Sequence, residues 1–370
     1  MQDWRDEKAK IYPLPVLLLA FLLTELAGLR RQRQRARWLH GNWKWILALC
    51  RENELIDKEC GAPSQSTISR LCCHCDEDGL KQIYLLLMIE KSTVNVAPQE
   101  PIDLVHYSID GKSRCGCVSE QTGRTEIDLV LLDLKARQAL GWTVIPDKSG
   151  EATSALKLFD LYGRKLARGV LTADAAFASP KLLASVKKYG HEYVIGLKGN
   201  AGKVYDLVSS HDWSNTESRA TTEDEAHGRH EIRCLEVLPI SAFANKSAFS
   251  KYVDCRYVLR VTSYRAENGV SSIEVRYFIA SGGLKGRDPQ YFLALVRAHW
   301  QHENNFNWAK DAILGEDSLA KHSHRSSRLM GFLKSIVVSV AAKVCNSTQT
   351  FVDLMLSSPE RVTRYLFASG

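Results

Sequence analysis

The hydrophobic period of this 370-residue chain changes near residue 101, and that change decides what the chain can fold into. Before it, apolar residues recur at helical spacing. After it they come in short extended runs. Runs at 104–109, 126–134 and 139–146 follow one another closely enough to form a meander. An amphipathic helix at 154–167, a strand at 169–173, a helix at 180–189 and a strand at 193–197 complete the order βββαβαβ. Such an order makes a mixed sheet with helices on its faces. The first and fourth strands then lie side by side, so residues just past their ends meet.

An acid stands at each of those two ends. Asp110 closes the first run, and Gly111 is expected to turn the chain straight after it. Asp174 closes the fourth. A third acid, Glu303, lies in an aromatic-rich helical pattern that begins after Pro289 and runs through Trp308. Hard carboxylate oxygens suit Mg²⁺, and a pair of such ions clamps the attacking and leaving oxygens of a phosphoryl displacement. Between Asp174 and Glu303, strand patterns at 231–239, 252–264 and 272–279, with a turn signal at Glu267-Asn268-Gly269, read as an inserted β-rich subdomain. The fold expected is mixed α/β. A helical region that is a candidate for DNA binding spans 1–100, and a ribonuclease-H-like core is expected to begin at 101–201. The insert occupies 202–288, and a helical part at 289–370 completes the core.

The first hundred residues carry the clearest charge asymmetry. The net charge is +7, a mild excess that fits an anionic partner. From Leu26 to Arg51 there is no acid, while Arg30, Arg31, Arg33, Arg35, Arg37, Lys44 and Arg51 fall there. Such a cluster can neutralise phosphates and release counterions. Helices are expected at 17–29 and 38–54, and Pro63-Ser64-Gln65-Ser66-Thr67 caps a third that runs through Ile68, Leu71 and Cys72. This layout reads equally as a helix-turn-helix or as a small bundle packed on the next domain. Residues 13–29 are apolar but contain Glu25, which favours a core helix over a membrane anchor. Residues 94–101 read as a linker. The ten cysteines are irregularly spaced and suggest reduced thiols in a cytosol. Cys60, Cys72, Cys73, His74 and Cys75 lack the paired-ligand spacing of a zinc knuckle.

Several residues near the acids compete for roles. Lys310, seven positions after Glu303, falls on the same face of an α-helix and could hold a phosphate; Lys112 and Lys198 could approach the DNA backbone. Glu316 and Asp317 are rivals to Glu303 as the third carboxylate. Trp300 and Trp308 either pack the helix on the sheet or stack on an unpaired base. His299 and His302 lack the i, i+4 pairing of a zinc hydrolase site.

Taken in order, these segments resemble the H-repeat-associated, ISAs-type insertion-sequence transposases. The resemblance covers roughly residues 63–333 and rests on Pro63-Ser64-Gln65-Ser66-Thr67-Ile68-Ser69-Arg70, Ser108-Ile109-Asp110-Gly111-Lys112, Asp147-Lys148-Ser149-Gly150-Glu151, Thr172-Ala173-Asp174-Ala175, 193–200, His227-Gly228-Arg229, 276–281 and His299-Trp300 through Glu303-Asn304 to Trp308, Asp311 and 315–317. It implies a DDE transposase that cuts and transfers DNA strands with two Mg²⁺ or Mn²⁺ ions held by Asp110, Asp174 and Glu303. It also implies a homodimer on double-stranded insertion-sequence ends and target DNA, in the bacterial cytoplasm at the nucleoid, with no membrane partner. The chain departs from the family pattern at Cys115, Cys117, Gly150, Ser179 and Asn307. A DNA-binding protein that has lost catalysis and a metal-dependent nuclease without strand transfer are the rival readings.

Overall fold

The computed structural model describes residues 3–6, 10–74, 104–226, 228–317 and 324–368. The expected linker at 94–101, Cys75 and His227 lie outside them. A single nine-stranded mixed sheet organises the protein, in the order β3-β2-β1-β4-β5-β9-β8-β7-β6. Its first half follows the expected pattern. Strands β1 (Val105–Val118), β2 (Thr125–Asp133) and β3 (Gln138–Ile145) form an antiparallel meander. Strand β4 (Gly169–Ala173) pairs parallel with β1, and β5 (Glu192–Leu197) pairs parallel with β4. Every residue of β4 and β5 is buried, as continuous apolar runs in a parallel region covered on both faces must be.

The strands expected as an inserted subdomain extend this same sheet. Strands β6 (Arg219–Ala226), β7 (Arg229–Pro239), β8 (Cys255–Glu267) and β9 (Val270–Ser281) run antiparallel, and β9 pairs with β5. The β8–β9 turn is a two-residue hairpin. Asn268 and Gly269 both hold positive φ, 50° and 76°, the conformation a right-twisted hairpin requires. Strand β6, with the sequence Arg-Ala-Thr-Thr-Glu-Asp-Glu-Ala, has no apolar alternation and gave no strand signal.

Helices cover both faces. Helix α4 (Glu151–Tyr162) packs over β2 and β3, with α5 (Pro180–Lys188) beside it. At Gly141 the sheet meets the Tyr162 ring of α4, whereas the next residue, Trp142, meets Phe332. Successive strand residues point to opposite faces, so Phe332's helix, α8 (His324–Cys345), lies across the sheet from α4. A short helix α6 (Lys203–Ser209) follows β5. Helix α7 (Pro289–Gln301) covers β4, β6 and β7, burying Phe292, Leu293, Leu295 and Val296 against Val170, Val194, Leu235 and Leu259.

The N-terminal helices α1 (Leu14–Leu26), α2 (Gln32–Glu52) and α3 (Gln65–His74) pack on one another. Helices α1 and α3 also pack on α8, and α1 on α9 (Thr348–Ser357), which precedes α10 (Pro359–Ala368). Helix α1 is a core helix. Its Glu25 is buried with Arg35 of α2, at 2.5 Å. Among the described residues no single helix is long and apolar enough to cross a membrane. In α3, the Ser64 hydroxyl accepts the Thr67 N–H at 3.2 Å, the expected cap. Ile68, Leu71 and Cys72 face inward, leaving Gln65, Ser66, Ser69 and Arg70 exposed.

Candidate active site

The parallel register of β1 and β4 pairs Ile109 with Ala173. The next residue in each strand path is Asp110 or Asp174, so the two aspartates stand side by side in the interior of the sheet, where β4 ends and β1 runs on. Both line a cleft of about 400 Å³, and Glu303, Lys198, Arg276, His299 and Trp300 line it too. Asp110 sits opposite Val130, and Val130 opposite Trp142, which places Asp110 on the α7–α8 face.

Close approach of the backbone helps to hold Asp174 there. A Cβ at Gly196 in β5 would stand 2.9 Å from the Ala175 nitrogen and 3.2 Å from the Asp174 carbonyl carbon. The Asp174 carboxylate accepts the Ala176 N–H at 2.8 Å, starting a short 3₁₀ turn. Gly196→Ala must displace the Asp174 turn. It is expected to cost about 1–3 kcal/mol in urea unfolding and to slow catalysis about tenfold or more, because misplacement of about 1 Å can cost 10²-fold.

Glu303 does not sit in an α-helix. Beyond α7 the chain continues as π-helix over His302–Asn307 and again over Ala309–Ile313. Such i→i+5 segments recur at functional sites. Two histidines, His302 buried and His299 half-buried on the cleft wall, fasten this region to the sheet. His299 Nδ1 is 3.1 Å from the Thr172 hydroxyl of β4, and His302 Nδ1 is 2.7 Å from the Ser108 hydroxyl of β1. Burial pushes both imidazoles below their usual range, His302 to about 4. They remain neutral hydrogen-bonding groups at pH 7. Asn307 donates from Nδ2 to the Asp110 carboxylate at 3.2 Å; it is one of the positions where the chain departs from the family pattern.

The π-helix alters the expectation for Lys310. A π turn takes more residues than the 3.6 of an α turn, so seven positions no longer return to the face of Glu303. The Lys310 side chain is wholly buried, 3.1 Å from Asp128 and 3.4 Å from Glu316. Lys112 is likewise turned inward, 2.8 Å from Asp311 and 3.2 Å from both Glu316 and Asp317. As placed, neither ammonium is presented to DNA at the cleft. Glu316, the rival third carboxylate, belongs to this knot. Burial disfavours its charge, but the Lys310, Lys112 and Lys334 cations outweigh that and hold its carboxyl below the usual range. Lys198 is exposed on the cleft wall. Of the basic run, Arg31, Arg33 and Arg37 are exposed and Arg35 is buried against Glu25. Arg30 is exposed and donates to the carbonyls of Ala312 and Ile313, at 3.4 and 2.6 Å, closing the end of the second π segment. Trp308 is exposed rather than packed on the sheet.

A fourth carboxyl appears that the sequence reading did not single out. Gly111 does not turn the chain; β1 runs on through it, paired with Leu129. Its missing side chain makes room for Glu151, the first residue of α4. A Cβ at Gly111 would stand 2.5 Å from Glu151 Oε1. Burial, together with the negative charges of Asp174 and Asp110, raises the Glu151 carboxyl to about 7. A carboxyl raised in the folded state holds its proton while the unfolded chain has lost it. The stability present below the ordinary value of 4.5 is therefore lost as pH rises towards 7. With a chelator present, Glu151→Gln is expected to match the parent below pH 4.5 and to exceed it by about 1–3 kcal/mol at pH 8, as read by urea titration at both pH values. Equal stability at pH 8 would count against this.

The donor set suits a hard divalent cation. Asp110, Asp174 and Glu303 offer oxygen ligands, and the charge that lifts Glu151 is the kind a cation relieves. Among the described residues, no three His, Cys, Asp or Glu side chains converge at coordinating reach, and this includes Asp110, Asp174 and Glu303 as well as Cys60, Cys72, Cys73 and His74.

Comparison with known proteins places the chain. The profile described as "Transposase DDE domain" matches residues 129–340, more than half of the protein. The chain belongs to the DDE transposase family. A second profile, "DDE_Tnp_1-associated", matches residues 1–88. Members of this family are DNA-cleaving and strand-transferring enzymes, and the family implies dependence on a divalent metal. The domain match includes Asp174 and Glu303; Asp110 lies between the two matched segments. The "Putative transposase YncI" of Escherichia coli O157:H7 is 21% identical over 347 residues, covering 91% of this chain and 84% of that one. The "H repeat-associated putative transposase YhhI" of Escherichia coli K12 is 22% identical over 246 residues, 63% of each. A cryo-EM structure of a piggyBac transposase synaptic complex with hairpin DNA aligns with 98% of this chain and 76% of that one, at 10% identity and a TM-score of 0.42.

Proposed function

We propose that this transposase cuts and rejoins DNA at the ends of its own insertion sequence, with Asp110, Asp174 and Glu303 holding two Mg²⁺ or Mn²⁺ ions in a ribonuclease-H-like core. The observation that carries the site assignment is the β1–β4 register, which sets the two aspartates side by side on the cleft that Glu303 also lines. The meander β1–β3 followed by parallel β4 and β5 supports the ribonuclease-H-like reading. Bound there, the ion pair supplies charge stabilisation to the attacking and leaving oxygens.

The protein's own groups do the remaining work. Lys198, exposed on the cleft that Asp174 also lines, meets a non-bridging phosphate oxygen. Asn307 orients Asp110, and His299 and His302 anchor the Glu303 segment through Thr172 and Ser108. Water is the first nucleophile and the freed 3′-hydroxyl the second, so no covalent protein intermediate is needed. The N-terminal helices, with exposed Arg31, Arg33 and Arg37, track phosphates, and two copies synapse two DNA ends. The enzyme works in the bacterial cytoplasm at the nucleoid.

Strand transfer distinguishes this reading from a nuclease. Supplied with pre-cut element ends, a target plasmid and Mg²⁺, the protein is expected to join the ends to the plasmid. Nicking of uncut DNA with no joined product from pre-cut ends would make it a nuclease.

A further inference from the structure

Beside the catalytic cleft lies a second groove, of about 700 Å³, on the same face of the sheet. Five arginines line it: Arg229 and Arg233 of β7, Arg265 of β8, Arg276 of β9 and Arg297 of α7. Their positions are unusual. Alternate residues of a strand share a face, so Arg229 and Arg233 continue the row that begins with Leu235 and Val237 under α7. Arg265 likewise continues the row of Val261 and Leu259, and Arg276 pairs with Val261. On these strands the apolar core stops and an arginine ladder takes its place.

Three of the guanidinium groups gather round one buried carboxylate. Glu231 is 2.6 Å from Arg233, 3.5 Å from Arg229 and 3.6 Å from Arg265. Arg233 and Arg297 share Asp224, at 2.9 and 2.6 Å, and Arg276 pairs with Glu274 at 2.8 Å. With Glu303 also on its wall, five cations thus meet four anions, and the groove keeps a net positive charge. Its partners hold the guanidinium planes in place, as bidentate recognition of phosphate favours.

The groove and the cleft are continuous. Arg276, Val296, Trp300 and Glu303 line both. A backbone lying along the arginines therefore passes Glu303 and reaches Asp110 and Asp174. We propose that this groove binds the phosphodiester backbone of the strand that carries the scissile phosphate. The proposal rests on the transposase reading above and adds a DNA path that the basic run at 30–37 does not supply.

The test uses the full chain with Arg265→Ala and Arg297→Ala combined. Binding to duplex DNA carrying the native element end is measured from 0.05 to 0.3 M salt. Each lost phosphate contact lowers the slope of log K against log salt by about 0.9, so the double variant is expected to flatten the slope by about 1.8. Affinity at 0.1 M salt should fall by roughly 10–100-fold, and cleavage should weaken. Arg364→Ala, at the exposed ion pair of α10 with Glu52, should leave the slope unchanged. In case the double variant does not fold, phenylglyoxal modification of the unaltered protein gives a second reading, with DNA expected to protect Arg265 and Arg297. An unchanged slope, an equal effect from Arg364→Ala, or no protection would overturn the proposal. So would loss confined to target capture by pre-cut ends, because the groove would then hold target DNA. Cleavage by the unaltered protein is scored separately: an intact cutting reaction with an unchanged slope removes the groove alone, whereas a flattened slope with no cutting by the parent removes the chemistry alone.

Discussion

Lys310→Met is expected to lower stability by about 3–5 kcal/mol, the usual cost of removing one partner from a buried ion pair. The lysine is wholly buried and faces two carboxylates, Asp128 at 3.1 Å and Glu316 at 3.4 Å. Methionine fills similar volume, so the loss reports charge rather than packing. Arg114 also reaches Asp128, at 3.1 Å, and Lys112 reaches Glu316, which keeps the cost within that range. Adding Asp128→Asn should recover part of the loss, since it removes a charge left without its lysine. Urea unfolding reads both effects. A Lys310→Met protein of unchanged stability, whose DNA binding has become less salt-dependent, would show instead that the ammonium faces phosphate.

Glu303→Gln and Glu316→Gln are expected to fail in opposite ways. Glu303 is exposed on the cleft with Asp110 and Asp174; Glu316 is buried among Lys112, Lys310 and Lys334. Glu303→Gln should keep the fold and DNA binding and lose at least about 10³-fold in cleavage rate, since even a single hydrogen-bond donor to transition-state charge is worth about 10²–10³. Glu316→Gln should lose several kcal/mol of stability, because it strands buried cations. Rapid cleavage by Glu303→Gln would remove it from the site.

Much of this arrangement is legible in the amino-acid sequence. The βββαβαβ order is local information, carried by hydrophobic period and turn chemistry, and it brought Asp110 beside Asp174. The Asn268-Gly269 hairpin was readable because only a few residues accept positive φ. What escaped the sequence depended on packing at a distance. Strand β6 has no apolar face of its own and is held by its pairing to β7. The insert reads as separate because nothing in its own sequence says that β9 will add to β5. A π-helix has no compositional signature, so Lys310 was given a face by α-helical counting. Glu151 could have been found by topology: β1, β3 and β4 run the same way, so the helix that starts after β3 begins on the side of the sheet where β4 ends and Asp110 and Asp174 stand. The arginine groove stayed hidden because its residues come from three strands and one helix.

The most direct test is cleavage of DNA carrying the native flanking ends, with Mg²⁺ or Mn²⁺, by the intact protein and by Asp174→Ala. The account predicts metal-dependent nicking at the element boundary that is absent from Asp174→Ala, while both proteins bind the DNA alike. Tight binding without cleavage by either protein would contradict it, and would describe a chain that keeps the fold as a DNA-binding protein.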